Sequence, residues 1–171
     1  MANSVTRVGL GYDVHAFAST EAKRQLMIGG ISIPHDRGLA GHSDADVLLH
    51  ALVDALLGAA ALGDIGTHFP STDPLWQDAP STVFLTHTLD LLQQSGWEIG
   101  NIDATVVAER PRLAPHVPAI RQQLAEVTGI SLEEVSVKAK TTDGLGFAGR
   151  QEGIACFVVA LLFGTGSLKR E

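Results

Sequence analysis

Residue types that hold metals occur at two places in this sequence with spacings that let them meet. Asp13 and His15 are separated by one residue, in or just past a β-prone segment. Successive strand side chains alternate between faces, so both project from the same one. His50 lies in the segment 44–61, which is apolar nearly all round through Val47, Leu48, Leu49, Ala51, Leu52, Val53, Leu56 and Leu57; such a helix is buried. Asp46, His50 and Asp54 recur there at i, i+4 and i+8 and form one polar stripe. A buried polar stripe needs a partner. With this helix packed on the Asp13–His15 face, two imidazoles and a carboxylate converge, a set that suits zinc and leaves a fourth position open for a ligand. The plainer alternatives are a wet helix edge for the stripe and a surface accident for the Asp-x-His pair.

Gly144, Gly146 and Gly149 fit Gly-x-Gly-x-x-Gly. A dinucleotide fingerprint opens a helix within a βαβ unit and is followed about twenty residues later by an acidic group. Here the chain after Arg150 reads as strand, so a nicotinamide cofactor is not expected. What survives is a loop whose backbone can approach a phosphate, with Thr141, Thr142, Asp143 and Arg150 supplying polar contacts; a plain connection is the alternative. Gly63, Asp64, Ile65 and Gly66 form a second tight turn, and the stretch Ala108 to Ala114 carries Arg110 and Arg112 among prolines. No P-loop, Gly-x-Ser-x-Gly elbow or Cys/His nucleophile arrangement is present in the sequence.

The elements that must position these groups are legible from periodicity and punctuation. Val5 to Tyr12 reads as a strand, and Gln25 to Ile28 and Ile31 to Ile33 as two strands around a Gly29-Gly30 turn. A helix is predicted over 44–61 with Ser43 as N-cap, Asp46 completing a capping box and Gly63 beyond its end. Gly63 to Asp78 reads as a loop, and Ser81 to Ser95 as a helix stopped by Gly96. Ile99 to Ala108, Pro115 to Thr128 and Val135 to Lys140 make a strand, a helix closed by Gly129 and a strand, one βαβ unit with a parallel strand pair. Thr141 to Arg150 reads as a Gly-rich loop, and Gly153 to Phe163 as a strand buried on both faces. The class is α+β, one domain with a mixed sheet packed on one side by helices.

With 171 residues the chain suits one domain. A net charge of −7 and only six Phe, two Trp and one Tyr argue against nucleic-acid binding. Charged residues make up only 18% beside 45% apolar ones, which points to more surface being hidden than one subunit hides, hence to an oligomer. The single cysteine, Cys156, lies in an apolar run, so no internal bridge forms; core packing and a reducing compartment are expected. Neither an N-terminal h-region nor a membrane-length apolar run is found, and a soluble cytoplasmic protein is expected.

Gly11-Tyr12-Asp13-Val14-His15, His42-Ser43-Asp44-Ala45-Asp46 with His50, and Gly63-Asp64-Ile65-Gly66 together resemble the 2-C-methyl-D-erythritol 2,4-cyclodiphosphate synthase family. Lys138 to Thr142 and Leu145 to Ile154 add further blocks, so the resemblance runs from Val8 to about Leu162. It implies a step of the non-mevalonate isoprenoid pathway, in which 4-diphosphocytidyl-2-C-methyl-D-erythritol 2-phosphate closes on itself and releases CMP. It further implies a homotrimer with sites between adjacent subunits, zinc on Asp13, His15 and His50, and magnesium bridging the α and β phosphates. His42 and Ser43 are implied contacts of the methylerythritol phosphate end, with His42 and Thr141 stabilising the transition state. Asp13, Val14 and His15 are also implied substrate contacts, as are Asp64, Ile65 and Gly66 and the following loop of Phe69, Pro70, Ser71, Thr72 and Asp73. The neighbouring subunit is implied to supply the cytidine and ribose phosphate pocket from Ala108, Glu109, Arg110, Pro111, Arg112, Leu113 and Ala114 with Ala139, Lys140 and Thr141. Thr142, Asp143, Phe147 and Arg150 complete the implied contacts, Asp143 on magnesium. Two positions depart from the pattern: Ser71 stands where Asp is frequent, and Asp143 where Glu is usual. A metal-dependent phosphodiester or pyrophosphate hydrolase and a trimeric nucleotide-binding module are the competing readings.

Overall fold

Three long β-prone segments and one short one assemble into a single mixed sheet in the structure, a computed structural model that describes residues 5–164. Strand β1 (Val5–Ala16) pairs antiparallel with β6 (Gly153–Gly164), from Val5↔Gly164 to Ala16↔Gly153. β6 pairs antiparallel on its other edge with β4 (Trp97–Val107), which pairs parallel with β5 (Val135–Lys140), giving the order β1-β6-β4-β5. β2 (Leu26–Ile28) and β3 (Ile31–Ile33) form a separate hairpin. Gly29 and Gly30 take φ 64° and 77° at its turn, the left-handed pair that a tight hairpin demands and that glycine supplies without strain.

Helices α1 (Val47–Ala60), α3 (Ser81–Gln94) and α4 (Val117–Thr128) cover one face of the sheet. Eleven of the fourteen residues of α1 are buried, which makes it the centre of the core. It lies against β1 so closely that a Cβ on Gly9 or Gly11 would meet the carbonyl oxygens of Ala55 and Ala51 at 1.9 and 1.8 Å. The lone thiol, Cys156, packs in this core as expected, and burial pushes its pKa up.

Several expectations need correction. The N-cap of α1 is Asp46, not Ser43, so the helix begins three residues later than the capping-box reading placed it. Asp46 Oδ1 accepts from the N–H groups of Leu48 and Leu49, both at 3.1 Å, and of Gly29 at 2.8 Å, while Oδ2 accepts from Gly30 N–H at 2.6 Å. One buried carboxylate thus caps the helix and clasps the hairpin turn; the four donors answer its burial, and Asp46 leaves the polar stripe. β1 runs on past Tyr12 to Ala16, which places Asp13 and His15 inside it. The segment 63–78 holds a short helix α2 (Ile65–His68) and a 3-10 turn at Pro74–Trp76, and 141–150 holds α5 (Gly146–Gly149). β6 is not buried on both faces: Phe157 and Phe163 are 45% and 42% exposed on the side away from the helices. Val8, Leu10, Tyr12, Val14 and Val159 share that outer face, and the Tyr12 ring packs tilted against Phe157 at 4.7 Å between ring centroids.

Candidate active and metal site

Asp13 and His15 point to the helix side of β1 while Val14 between them faces outward, because the strand alternates. His50, one turn into α1, comes down onto the same spot. Asp13 Oδ2 lies 3.0 Å from His15 Nε2 and 3.1 Å from His50 Nδ1, and the two ring nitrogens are 3.0 Å apart. Tetrahedral ligands at zinc-like distances are separated by about 3.3 to 3.4 Å, so this triangle fits a divalent ion with only slight opening. The three residues are the one group of this kind among the described residues. His15 Nδ1–H donates to the Ala40 carbonyl at 2.7 Å, turning Nε2 toward the triangle. Burial would raise the Asp13 carboxyl, but hydrogen bonds from His15 and His50 hold it well below the usual carboxylate range. Burial would lower the His15 imidazole, but Asp13 lifts it above its ordinary value.

The triad opens into a cavity of about 220 Å³ lined by His15, His42, Ser43, His50, Ile65, Gly66, Phe69 and Ser71, together with Trp76 and Phe84. His42 Nε2–H donates to the Asp73 carbonyl at 3.1 Å, which fixes the ring over the cavity from the 70–74 loop. Asp64 caps α2 by accepting from Thr67 N–H and its hydroxyl at 2.8 and 2.7 Å. Asp54, the last member of the stripe, accepts from Ile65 N–H at 2.7 Å and so ties α2 to α1. Burial raises its carboxyl. The stripe therefore divides into a clasp, a member of the candidate metal triad and a tether.

A second group of expected residues gathers at the ends of β4 and β5. The 108–114 loop and β5 are joined by Ala108 N–H donating to the Lys140 carbonyl at 2.9 Å. Glu109 Oε2 is buried there with no hydrogen-bond partner. Thr141 donates to Asp143 Oδ1 at 3.3 Å, Phe147 lines a small apolar cavity with Thr142 and Tyr12, and Arg150 pairs with Glu152 at 2.8 Å. Between Asp13 on β1 and Thr141 beyond β5 lie the two strands β6 and β4, about 14 Å at ordinary strand spacing. Within one chain the two groups are thus three strand spacings apart.

The sequence reading names Asp44 only within the His42–Asp46 block and Ser81 only as the start of a helix, and gives neither a role. The Ser81 hydroxyl donates to Asp44 Oδ1, and Ser81 Oγ lies 2.9 Å from His50 Nε2, with Ser43 Oγ at 3.0 Å from the same nitrogen. Ser81 is 37 residues from Asp44 and 31 from His50, and no local pattern announces it.

The family model that matches, YgbB family, spans residues 6–163. The chain belongs to the YgbB family. Among relatives of this family, the 2-C-methyl-D-erythritol 2,4-cyclodiphosphate synthase of Syntrophomonas wolfei is 57% identical over 156 residues, 91% of this chain and 98% of the relative. Two solved structures superpose closely. The bifunctional IspDF from Campylobacter jejuni gives a TM-score of 0.90 at 38% identity, covering 96% of this chain but 44% of that longer one. The IspF CDP complex of Plasmodium falciparum gives 0.81 at 33% identity, covering 93% of this chain and 96% of that one.

Proposed function

We propose that this chain closes 4-diphosphocytidyl-2-C-methyl-D-erythritol 2-phosphate into 2-C-methyl-D-erythritol 2,4-cyclodiphosphate with release of CMP, as a phosphorus–oxygen lyase of isoprenoid precursor synthesis. The observation that carries it is the convergence of Asp13, His15 and His50 at the wall of the His42–Ser43 cavity, in a chain 57% identical to a protein named for this reaction. A 2-phosphate oxygen attacks the β-phosphorus of the same molecule. The bond from that phosphorus to the bridging oxygen breaks, and CMP leaves with the bridging oxygen on its α-phosphate. No protein nucleophile is needed, so the chain's task is to fold the substrate into attack geometry, which is worth on the order of 7 to 11 kcal/mol.

His42 and Ser43 bind the methylerythritol phosphate end, Asp64 to Gly66 and the 69–73 loop hold the methylerythritol part, and His42 with Thr141 answers the charge that develops at phosphorus. When bound, zinc on the triad and magnesium beside Asp143 supply Lewis-acid polarisation and charge neutralisation of the diphosphate. The outer apolar sheet face and the separation of about 14 Å between the triad and Thr141 support a homotrimer in which a neighbouring subunit brings the 108–114 and 139–143 segments to the triad. The lone buried thiol supports a reducing, cytoplasmic setting, and no helix among the described residues is long and apolar enough to cross a membrane.

Phosphorus NMR of the diphosphocytidyl substrate incubated with the chain, zinc and magnesium tests the reading. Cyclic diphosphate and CMP are expected. A linear diphosphate or free phosphate would establish the hydrolase instead, and absence of turnover would leave a binding module.

A further inference from the structure

The proton positions around His50 follow from which atoms can only accept. Asp44 Oδ1, as a carboxylate, accepts, so the Ser81 hydroxyl hydrogen points to it. Ser81 Oγ has then used its only hydrogen, and toward His50 Nε2, 2.9 Å away, it too can only accept. Ser81 is fully buried, so no water competes for this geometry. Ser43 Oγ, 3.0 Å from the same nitrogen, already accepts from Ala45 N–H and offers a second, weaker seat for the same hydrogen. Toward Nδ1, Asp13 Oδ2 at 3.1 Å is an acceptor as well, so in the metal-free chain the two sides of the ring compete for its hydrogen. With an ion on Nδ1 the hydrogen must sit on Nε2, where Ser81 Oγ is placed to accept it.

Resting on the reading of Asp13, His15 and His50 as a metal triad, we propose that Ser81 and Asp44 are positioning residues that accept the His50 Nε2 hydrogen and so favour the tautomer whose Nδ1 can hold the metal. Neither touches substrate or metal. They act through the ring, as outer partners of metal-bound histidines do when they fix tautomer and raise ligand basicity. Ser81 opens α3 and Asp44 precedes α1, so the relay also couples metal affinity to the docking of these two helices.

The first measurement needs no variant. Long-range proton–nitrogen correlation on the zinc-loaded, 15N-labelled full chain should show His50 with its hydrogen on Nε2, hydrogen-bonded and slow to exchange with water. A fast-exchanging Nε2–H, or zinc held by Nε2, overturns the proposal. The second is zinc affinity by competition with a chromophoric chelator. Ser81→Ala and Asp44→Ala should each weaken zinc about 10- to 100-fold, while Asp44→Asn, whose amide oxygen still accepts from Ser81, should stay near wild type. A purely structural role would lower the melting temperature of these variants and leave zinc affinity unchanged; that result also overturns the proposal. If a variant fails to fold, the exchange rate of the Nε2–H in the zinc-loaded wild type decides. Failure of the metal reading itself is distinguishable, because it appears as a wild-type chain that binds no zinc.

Discussion

His50 and Asp46 lie one helical turn apart on α1 and serve different ends, and substitution separates them. His50→Ala should abolish tightly bound zinc by elemental analysis with little loss of stability. Asp46→Ala strips a cap and leaves the Gly29 and Gly30 N–H groups without their acceptor. It should cost about 2 to 4 kcal/mol in urea unfolding, yet the surviving folded protein should still take up zinc. The raised His15 pKa gives a pH signature, because the ion must displace that proton. Zinc affinity should fall about tenfold for each pH unit below the raised imidazole value, read by chelator competition. Without zinc the sign reverses: the stability contributed by His15 is fully present below its ordinary 6.5 and is lost as pH rises through the folded value. At Asp143 the carboxylate is one methylene shorter than the Glu that the family pattern favours. Asp143→Asn should raise the magnesium concentration needed for half-maximal rate and leave zinc content unchanged.

The contact between β1 and α1 brings the two halves of the triad together. Gly9 and Gly11 allow it, since any Cβ there would strike the backbone of the helix. Gly11→Ala must push β1 away and should destabilise by about 3 kcal/mol or more. Because Asp13 is only two residues on, zinc affinity should fall with stability. Gly58, on the same helix, is the opposite case, because a Cβ there would meet nothing within 4 Å. Gly58→Ala should stabilise by about 0.5 to 1 kcal/mol and leave zinc affinity alone. Urea midpoints and zinc titrations of the pair distinguish glycine as a spacer from glycine as an entropic cost.

For the molecule as a whole, the helices cover one face of the sheet and leave Val8, Leu10, Tyr12, Val14, Phe157, Val159 and Phe163 on the other. Apolar area of this extent is unusual on a protein that acts as a monomer. Three subunits are expected by light scattering. Val159→Asp, which sets a charge in that face without touching the triad, should shift the mass toward one subunit and remove turnover while zinc stays bound. A monomer that still turns over would show that one chain completes the site.

Much of this was legible along the chain because its signals are local. Alternation of Asp13 and His15, the apolar run around His50 and the Gly29-Gly30 turn depend on neighbours a few residues away, and each maps onto a fixed backbone geometry. The β4–α4–β5 unit follows from the same periodicities. What the sequence could not decide were partnerships between segments far apart. Asp46 looks like part of a ligand stripe until Gly29 and Gly30 fold against it, and Ser43 looks like an N-cap until Asp46 is seen to accept the helix's first N–H groups. β6 reads as buried on both faces because hydrophobicity alone does not say whether the cover comes from the same chain. Ser81 reads as an ordinary helix-opening serine, and only packing α3 against α1 puts its hydroxyl between Asp44 and His50. Local propensity indicates which elements form; which buried polar group answers which is settled only when the chain has closed, since hydrogen-bond geometry between distant residues leaves no period in the sequence.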